Sequence, residues 1–129
     1  MMIREVNAHF DSSSSYFTKN GKKFFYEEGI GAYEYLMGAL SGCFTSTLKD
    51  ILQEMNIQTQ SIDLHTYGVK RESIPSTLKD TYIDITIRAV DRKRDEENIR
   101  KAVIRTQENC SMYQTIKCVS AMHVTTEVL

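Results

Sequence analysis

Apolar residues along the chain recur at two different spacings. From Gly31 to Met55 (GAYEYLMGALSGCFTSTLKDILQEM) they fall at three- and four-residue steps: Tyr33, Leu36, Met37, Leu40, Cys43, Phe44, Thr47, Leu48, Ile51, Leu52 and Met55. That spacing places them on one broad face of an α-helix. This is the longest apolar helical pattern in the chain, and it predicts a central helix with Cys43 turned inward. Gly38, Ala39, Ser41 and Gly42 are small, and the glycines and serine weaken helix propensity by up to about 1 kcal/mol each. They leave room for other backbone to approach, from this chain or a second one.

Elsewhere the period is two. SIDLHTYGVKRE alternates Ile62, Leu64 and Thr66 against Asp63, His65 and Tyr67, and TYIDITIRAV alternates Ile83, Ile85, Ile87 and Ala89 against Asp84, Thr86 and Arg88. These are strands with one buried face, expected to pair as an antiparallel hairpin across the loop holding Pro75, the only proline. Residues 3–10 alternate weakly. Tyr16 and Phe17, then Phe24, Phe25 and Tyr26, flank the turn-like Lys19-Asn20-Gly21 and predict a second hairpin. The serine run Ser12–Ser15 reads as a loop between strands rather than a linker. Beyond the second strand, Asp95 suits an N-cap, and Ile99, Ala102, Val103, Thr106 and Cys110 repeat at helical steps. A second helix therefore delivers Cys110 to its C-terminal end on the buried face. TIKCVSAMHVTTEV is rich in β-branched residues and reads as a closing strand containing Cys118. The expectation is an α+β fold, one domain over residues 1–129, with a long central helix and a second helix packed on antiparallel sheets.

Composition narrows the function. With 129 residues and 41% hydrophobic content, one core is feasible. Sixteen basic against 17 acidic residues give a net charge of -1, too little field to attract nucleic acid or an anionic membrane. No apolar run approaches a bilayer span, and MMIREVNAHFDSSSSYF lacks the basic-then-apolar pattern of a signal segment. A cytoplasmic location is expected. Three cysteines, Cys43, Cys110 and Cys118, are too few for a disulfide framework and start as free thiols in a reducing compartment.

Chemistry then rests on those thiols. Cys43 and Cys110 both sit on apolar helical stripes, and two helices on one core can bring them together. The pair is open to two readings, a redox dithiol or two small core residues. Cys118 reads as strand packing. His9, His65 and His123 are scattered over different strands without metal-ligand spacing. The mixed-sign run Asp91–Glu97 reads as a solvated helix start. The glycines at 29, 31, 38 and 42 match no phosphate-binding loop. Neither a metal nor an organic cofactor is expected.

The run Tyr33-Glu34-Tyr35-Leu36-Met37-Gly38-Ala39-Leu40-Ser41-Gly42-Cys43 resembles the core-helix motif of the OsmC-like family of osmotically induced and organic hydroperoxide resistance proteins, a Glu-Leu-Leu-Leu-Ala-Ala-Leu-Gly-Gly-Cys type segment. Cys110-Ser111-Met112-Tyr113-Gln114-Thr115-Ile116, at the end of a helix and entering a strand, is similar to the family's Cys-Pro-Val-x-x-Thr-Leu segment, with Ser111 in the place of proline. The resemblance spans the chain from Phe24 onward. It implies an intertwined homodimer that reduces organic hydroperoxides, with Cys43 the peroxidatic thiol, Cys110 the resolving thiol and an external dithiol as reductant. It also implies a role for Glu34 beside an N-terminal cation, for which Arg4, Lys19, Lys22 and Lys23 are the candidates. On one helix, Glu34 lies about 13.5 Å and about half a turn of phase from Cys43, so the glutamate is expected from the partner subunit. Because Cys43 sits mid-helix, a nearby cation is expected to lower its pKa. The alternative function is a non-catalytic binding protein with an apolar ligand pocket at the dimer interface.

Overall fold

Asn20 and Gly21, with φ of 51° and 76°, make the tight left-handed turn that a two-residue hairpin needs. In the computed structural model, which describes residues 2–129, this turn joins β2 (Ser15–Lys19) to β3 (Lys22–Phe25), and β1 (Asn7–Phe10) completes a three-stranded antiparallel sheet. The serine run is a loop. The Asp11 carboxylate accepts from the N–H groups of Ser13 and Ser14, both at 2.8 Å, and these donors together with His9 hold it well below the usual carboxylate range. Neither β1 nor β3 contains a buried residue. Instead, the aromatic side chains pair across the strands, as in Phe17 on Phe24 at 5.2 Å. These strands lie in a compact unit that ends at Ala32.

The second unit runs Tyr33–Leu129 and is built on α1 (Ala32–Glu54). Its apolar stripe is buried along the centre: Met37, Leu40, Phe44, Leu48, Ile51 and Leu52. The helix ends where Asn56 takes φ of 55°. There Ile57 N–H donates to Leu52 and Asn56 N–H to Gln53, the paired capping bonds of a Schellman motif. β4 (Thr59–Lys70) and β5 (Leu78–Ala89) then form the expected antiparallel hairpin, with Ile83, Ile85 and Ile87 buried beneath the helices.

Three local expectations are corrected. The N-cap of α2 (Arg92–Asn109) is Asp91, whose side chain accepts from Arg94 N–H, while Asp95 lies buried in the first turn and pairs with Arg94 at 3.1 Å. Residues 115–117 do not begin a strand. Cys110 adopts an extended conformation, φ -77° and ψ 116°, that ends α2 and starts a short helix, α3 (Ser111–Lys117). β6 runs only over Ala121–Val128 and pairs parallel to β5, so the second sheet is mixed. Cys118 therefore leaves the strand and caps α3 as an exposed residue. The buried bond between Thr81 and Ser120, 2.8 Å, fixes β5 to the chain emerging from α3.

Candidate functional site

Cys43 sits at the margin of the buried stripe of α1, half-buried rather than turned fully inward. Cys110 is fully buried at the α2–α3 junction. Its N–H donates to Thr106 O at 2.8 Å, closing α2, and its sulfur accepts from Tyr113 N–H at 3.5 Å, opening α3. One residue thus caps two helices, which fixes its side chain. Phe44, adjacent to Cys43, packs on Tyr113 of α3 at 6.0 Å, so the two thiols are carried on elements locked together by the core. Cys110 Sγ lies 3.4 Å from Cys43 Sγ, with the Cys110 thiol as donor.

Ser111, the next residue, places its Oγ 3.8 Å from Cys43 Sγ, within hydrogen-bond range for sulfur. Burial pushes the Cys43 thiol up. The Met112 N–H, the Cys110 thiol, the Ser111 hydroxyl and the Ser111 N–H outweigh it and leave the group below its ordinary value. Cys110 moves the other way: burial raises it, the Tyr113 N–H opposes, and the neighbouring Cys43 sulfur adds to the rise. The environments separate two like groups into a sulfur that collects donors, with its pKa lowered, and a thiol that supplies one, with its pKa raised.

Among the described residues, the groups that lower the Cys43 thiol are these donors. The argument that a mid-helix cysteine gains nothing from its own helix terminus holds for α1. The first turn of α3, a helix hidden inside a segment read as strand, supplies the N–H groups instead. What sequence reasoning missed is the donor role of the Ser111 hydroxyl and of the Ser111 and Met112 N–H groups. The signal was a polar residue directly after a buried cysteine, where a capping residue is followed by free N–H groups. Of the cation candidates, Lys22 lies over the Phe24 ring at 5.3 Å and Lys23 over the Tyr16 ring at 4.5 Å; Arg4 and Lys19 are exposed.

Glu34 stands in the first turn of α1, on the flank away from Cys43. It lines an open cleft of about 530 Å³ between α1 and β4, with Met37, Gly38, Ser41, Leu64, Thr66 and Lys70 among the other walls. The structure does not bring Glu34 to the Cys43 thiol within this chain. The histidines stay apart from the thiols: His9 pairs with Asp11 at 2.7 Å, and His65 and His123 stand in an aromatic row with Tyr67 and Tyr82 on the outer face of the second sheet. Among the described residues, no three His, Cys, Asp or Glu side chains are grouped to hold a metal ion. No helix among them is long and apolar enough to cross a membrane.

An α+β domain carrying two cysteine sulfurs in contact between its helices defines a dithiol protein. The chain belongs to the OsmC-like family, whose model matches residues 25–126. A hypothetical protein from Aquifex aeolicus has the same fold, with a TM-score of 0.85 at 20% identity over 100% of this chain and 98% of that one. An OsmC-like protein from Mycoplasma pneumoniae superposes with a TM-score of 0.84 at 13% identity over 99% and 98% of the two chains. An organic hydroperoxide resistance protein of Bacillus subtilis gives 0.66 at 16% identity over 98% of each. A search of curated protein sequences finds no significant match.

Proposed function

We propose that the protein is a cytoplasmic, homodimeric cysteine peroxidase that reduces organic hydroperoxides. The observation that carries this reading is the 3.4 Å separation of the Cys43 and Cys110 sulfurs, with the lowered pKa on the more accessible one. The Cys43 thiolate attacks the O–O bond of the hydroperoxide. It becomes a sulfenic acid, and the alkoxide leaves and takes up a proton as the alcohol. The Cys110 sulfur then displaces the sulfenic oxygen as water, forming a disulfide. This closes the sulfurs to about 2.05 Å, a small movement from their resting contact. An external dithiol returns both to thiols by exchange. No step uses a metal or organic cofactor.

The half-buried Met112 beside Cys43, with the apolar Met37, Leu40 and Phe44 of α1 buried in the core, favours a hydrocarbon-bearing peroxide over hydrogen peroxide. The homodimer reading is supported by Phe10 and Phe25, 65% and 57% exposed on a sheet with little buried surface of its own, the kind of apolar display that marks an interface. The test is turnover of cumene or tert-butyl hydroperoxide with a dithiol reductant. Wild-type protein consumes peroxide and accumulates a Cys43–Cys110 disulfide when reductant is withheld. A Cys43→Ser variant with undiminished turnover sinks the mechanism.

The cleft on the Glu34 flank supports a second reading, a non-catalytic protein that holds an apolar ligand there. Thiol titration separates the two. A Cys43 that ionises like a free cysteine and forms no disulfide under peroxide favours the binding protein.

A further inference from the structure

Of the side-chain groups that meet the Cys43 sulfur, the Cys110 thiol has a structural duty and the Ser111 hydroxyl has none. The Cys110 thiol and backbone close α2 and open α3, and the N–H groups of Ser111 and Met112 belong to the first turn of α3. The Ser111 hydroxyl caps nothing. Its backbone carbonyl accepts from Thr115 Oγ1 at 2.8 Å, but among the described residues its Oγ makes a single hydrogen bond, to Cys43 Sγ at 3.8 Å. Resting on the peroxidase reading, we propose that Ser111 is a catalytic residue: its hydroxyl donates to the Cys43 sulfur and holds it for attack on the peroxide.

Ionisation of Cys43 sets the direction of the bond. A thiolate has no proton to give, so once Cys43 ionises, only the hydroxyl can donate. The hydroxyl sits on the residue that follows the resolving cysteine, so the same backbone that presents Cys110 presents the donor. The two α3-side contacts reach Cys43 from adjacent residues, 3.4 Å from the thiol and 3.8 Å from the hydroxyl. During attack the thiolate charge passes to the departing oxygen. A neutral hydroxyl follows that loss at little cost, whereas a fixed cation would hold the charge on sulfur. The hydroxyl stays within reach of the sulfenic oxygen that the reaction leaves on Cys43, and can bond to it until Cys110 condenses.

The experiment follows alkylation of Cys43 by iodoacetamide against pH, read by peptide mass, in wild type, Ser111→Ala and Ser111→Thr, alongside hydroperoxide turnover. Ser111→Ala is expected to move the alkylation midpoint upward and to lower the rate below that midpoint by about three- to tenfold, the scale of one weak charge-assisted hydrogen bond. Ser111→Thr, which keeps a hydroxyl, restores the wild-type profile. Thermal melts should coincide, since the Ser111 Oγ supports neither helix. An alanine profile identical to wild type, or a threonine profile as shifted as alanine, overturns the assignment. Alkylation reads Ser111 even where turnover fails: a wild-type protein that consumes no hydroperoxide ends the peroxidase reading and with it the catalytic role, leaving the profile to report the contact alone.

Discussion

The two flanks of α1 differ in how far this chain completes them. On one flank, Cys43 is met by Cys110, Ser111 and Met112, and the sulfur has several donors within a few ångströms. On the other, Glu34 faces an open cleft of about 530 Å³ and forms no ion pair among the described residues. Cys43 thus has its hydrogen-bond donors from its own chain, whereas Glu34 is a wall residue of a cleft between α1 and β4. The small residues of α1 fit the same division. Beyond the helix's own backbone and the adjacent residues, no described heavy atom of the Tyr33–Leu129 unit lies within 4 Å of where a Cβ would sit on Gly38 or Gly42, so their smallness serves no contact within this unit.

The largest test of the finished flank compares the two thiols. Cys43→Ser should drop hydroperoxide turnover to the rate of reductant alone, because the nucleophile is gone. Cys110→Ser should allow one oxidation per chain and then stall, with sulfenic acid trapped by dimedone and visible by mass. Equal loss with no sulfenic acid in Cys110→Ser would mean that the two sulfurs do not divide the work as their environments indicate.

Next in size is the pH dependence. Because Cys43 is held below the ordinary thiol value, its thiolate, and with it the peroxide rate, is already present at pH values where a free cysteine is protonated. The rate should fall as pH drops through the lowered pKa, by about tenfold per pH unit, and level off above it. Stopped-flow measurement of the first oxidation against pH checks this. A rate that climbs only through the range of a free cysteine removes the difference between the thiols.

The unfinished flank gives a smaller effect on stability. Gly38→Ala meets no described atom of its own unit beyond the helix itself, so in a dilute, monomeric sample it should stabilise by about 0.5–1 kcal/mol through helix propensity. If a second copy packs on α1 there, the added methyl should weaken association instead. Thermal melts across a range of protein concentrations distinguish the two, and a uniform gain at all concentrations argues that nothing docks on this face.

Periodicity made the frame of this site legible and local geometry made the rest illegible. The three- and four-residue steps placed Cys43 and Cys110 on buried stripes, and the two-residue steps located β4 and β5, because burial imposes those periods directly. The segment after Cys110 was misread because Thr115, Ile116 and Val119 favour strands only where a pleated surface receives them. Here Cys110 breaks the chain into an extended residue and restarts a helix, so that Ile116 and Tyr113 are buried on a helical face. That restart moved Cys118 out of the sheet and turned the Ser111 and Met112 N–H groups toward Cys43. No pattern in the sequence states that a helix of seven residues begins where a longer one ends.

The finest test asks whether the Glu34 flank of one subunit serves the thiol flank of another. Within one chain, nine residues of helix set Glu34 and Cys43 about half a turn apart, so any joint action must cross a dimer interface. Glu34→Gln alone should lower turnover only a few-fold, since the donors on Cys43 remain in place. Mixing Glu34→Gln with Cys43→Ser chains then becomes decisive. In a mixed dimer, the intact Cys43 of the first chain meets the intact Glu34 of the second, and that site should turn over at the wild-type rate. Activity per intact Cys43 that rises on mixing and re-equilibration places the carboxylate in trans. Activity that stays at the Glu34→Gln level leaves Glu34 as a residue of the cleft alone, and the two flanks of α1 as separate sites.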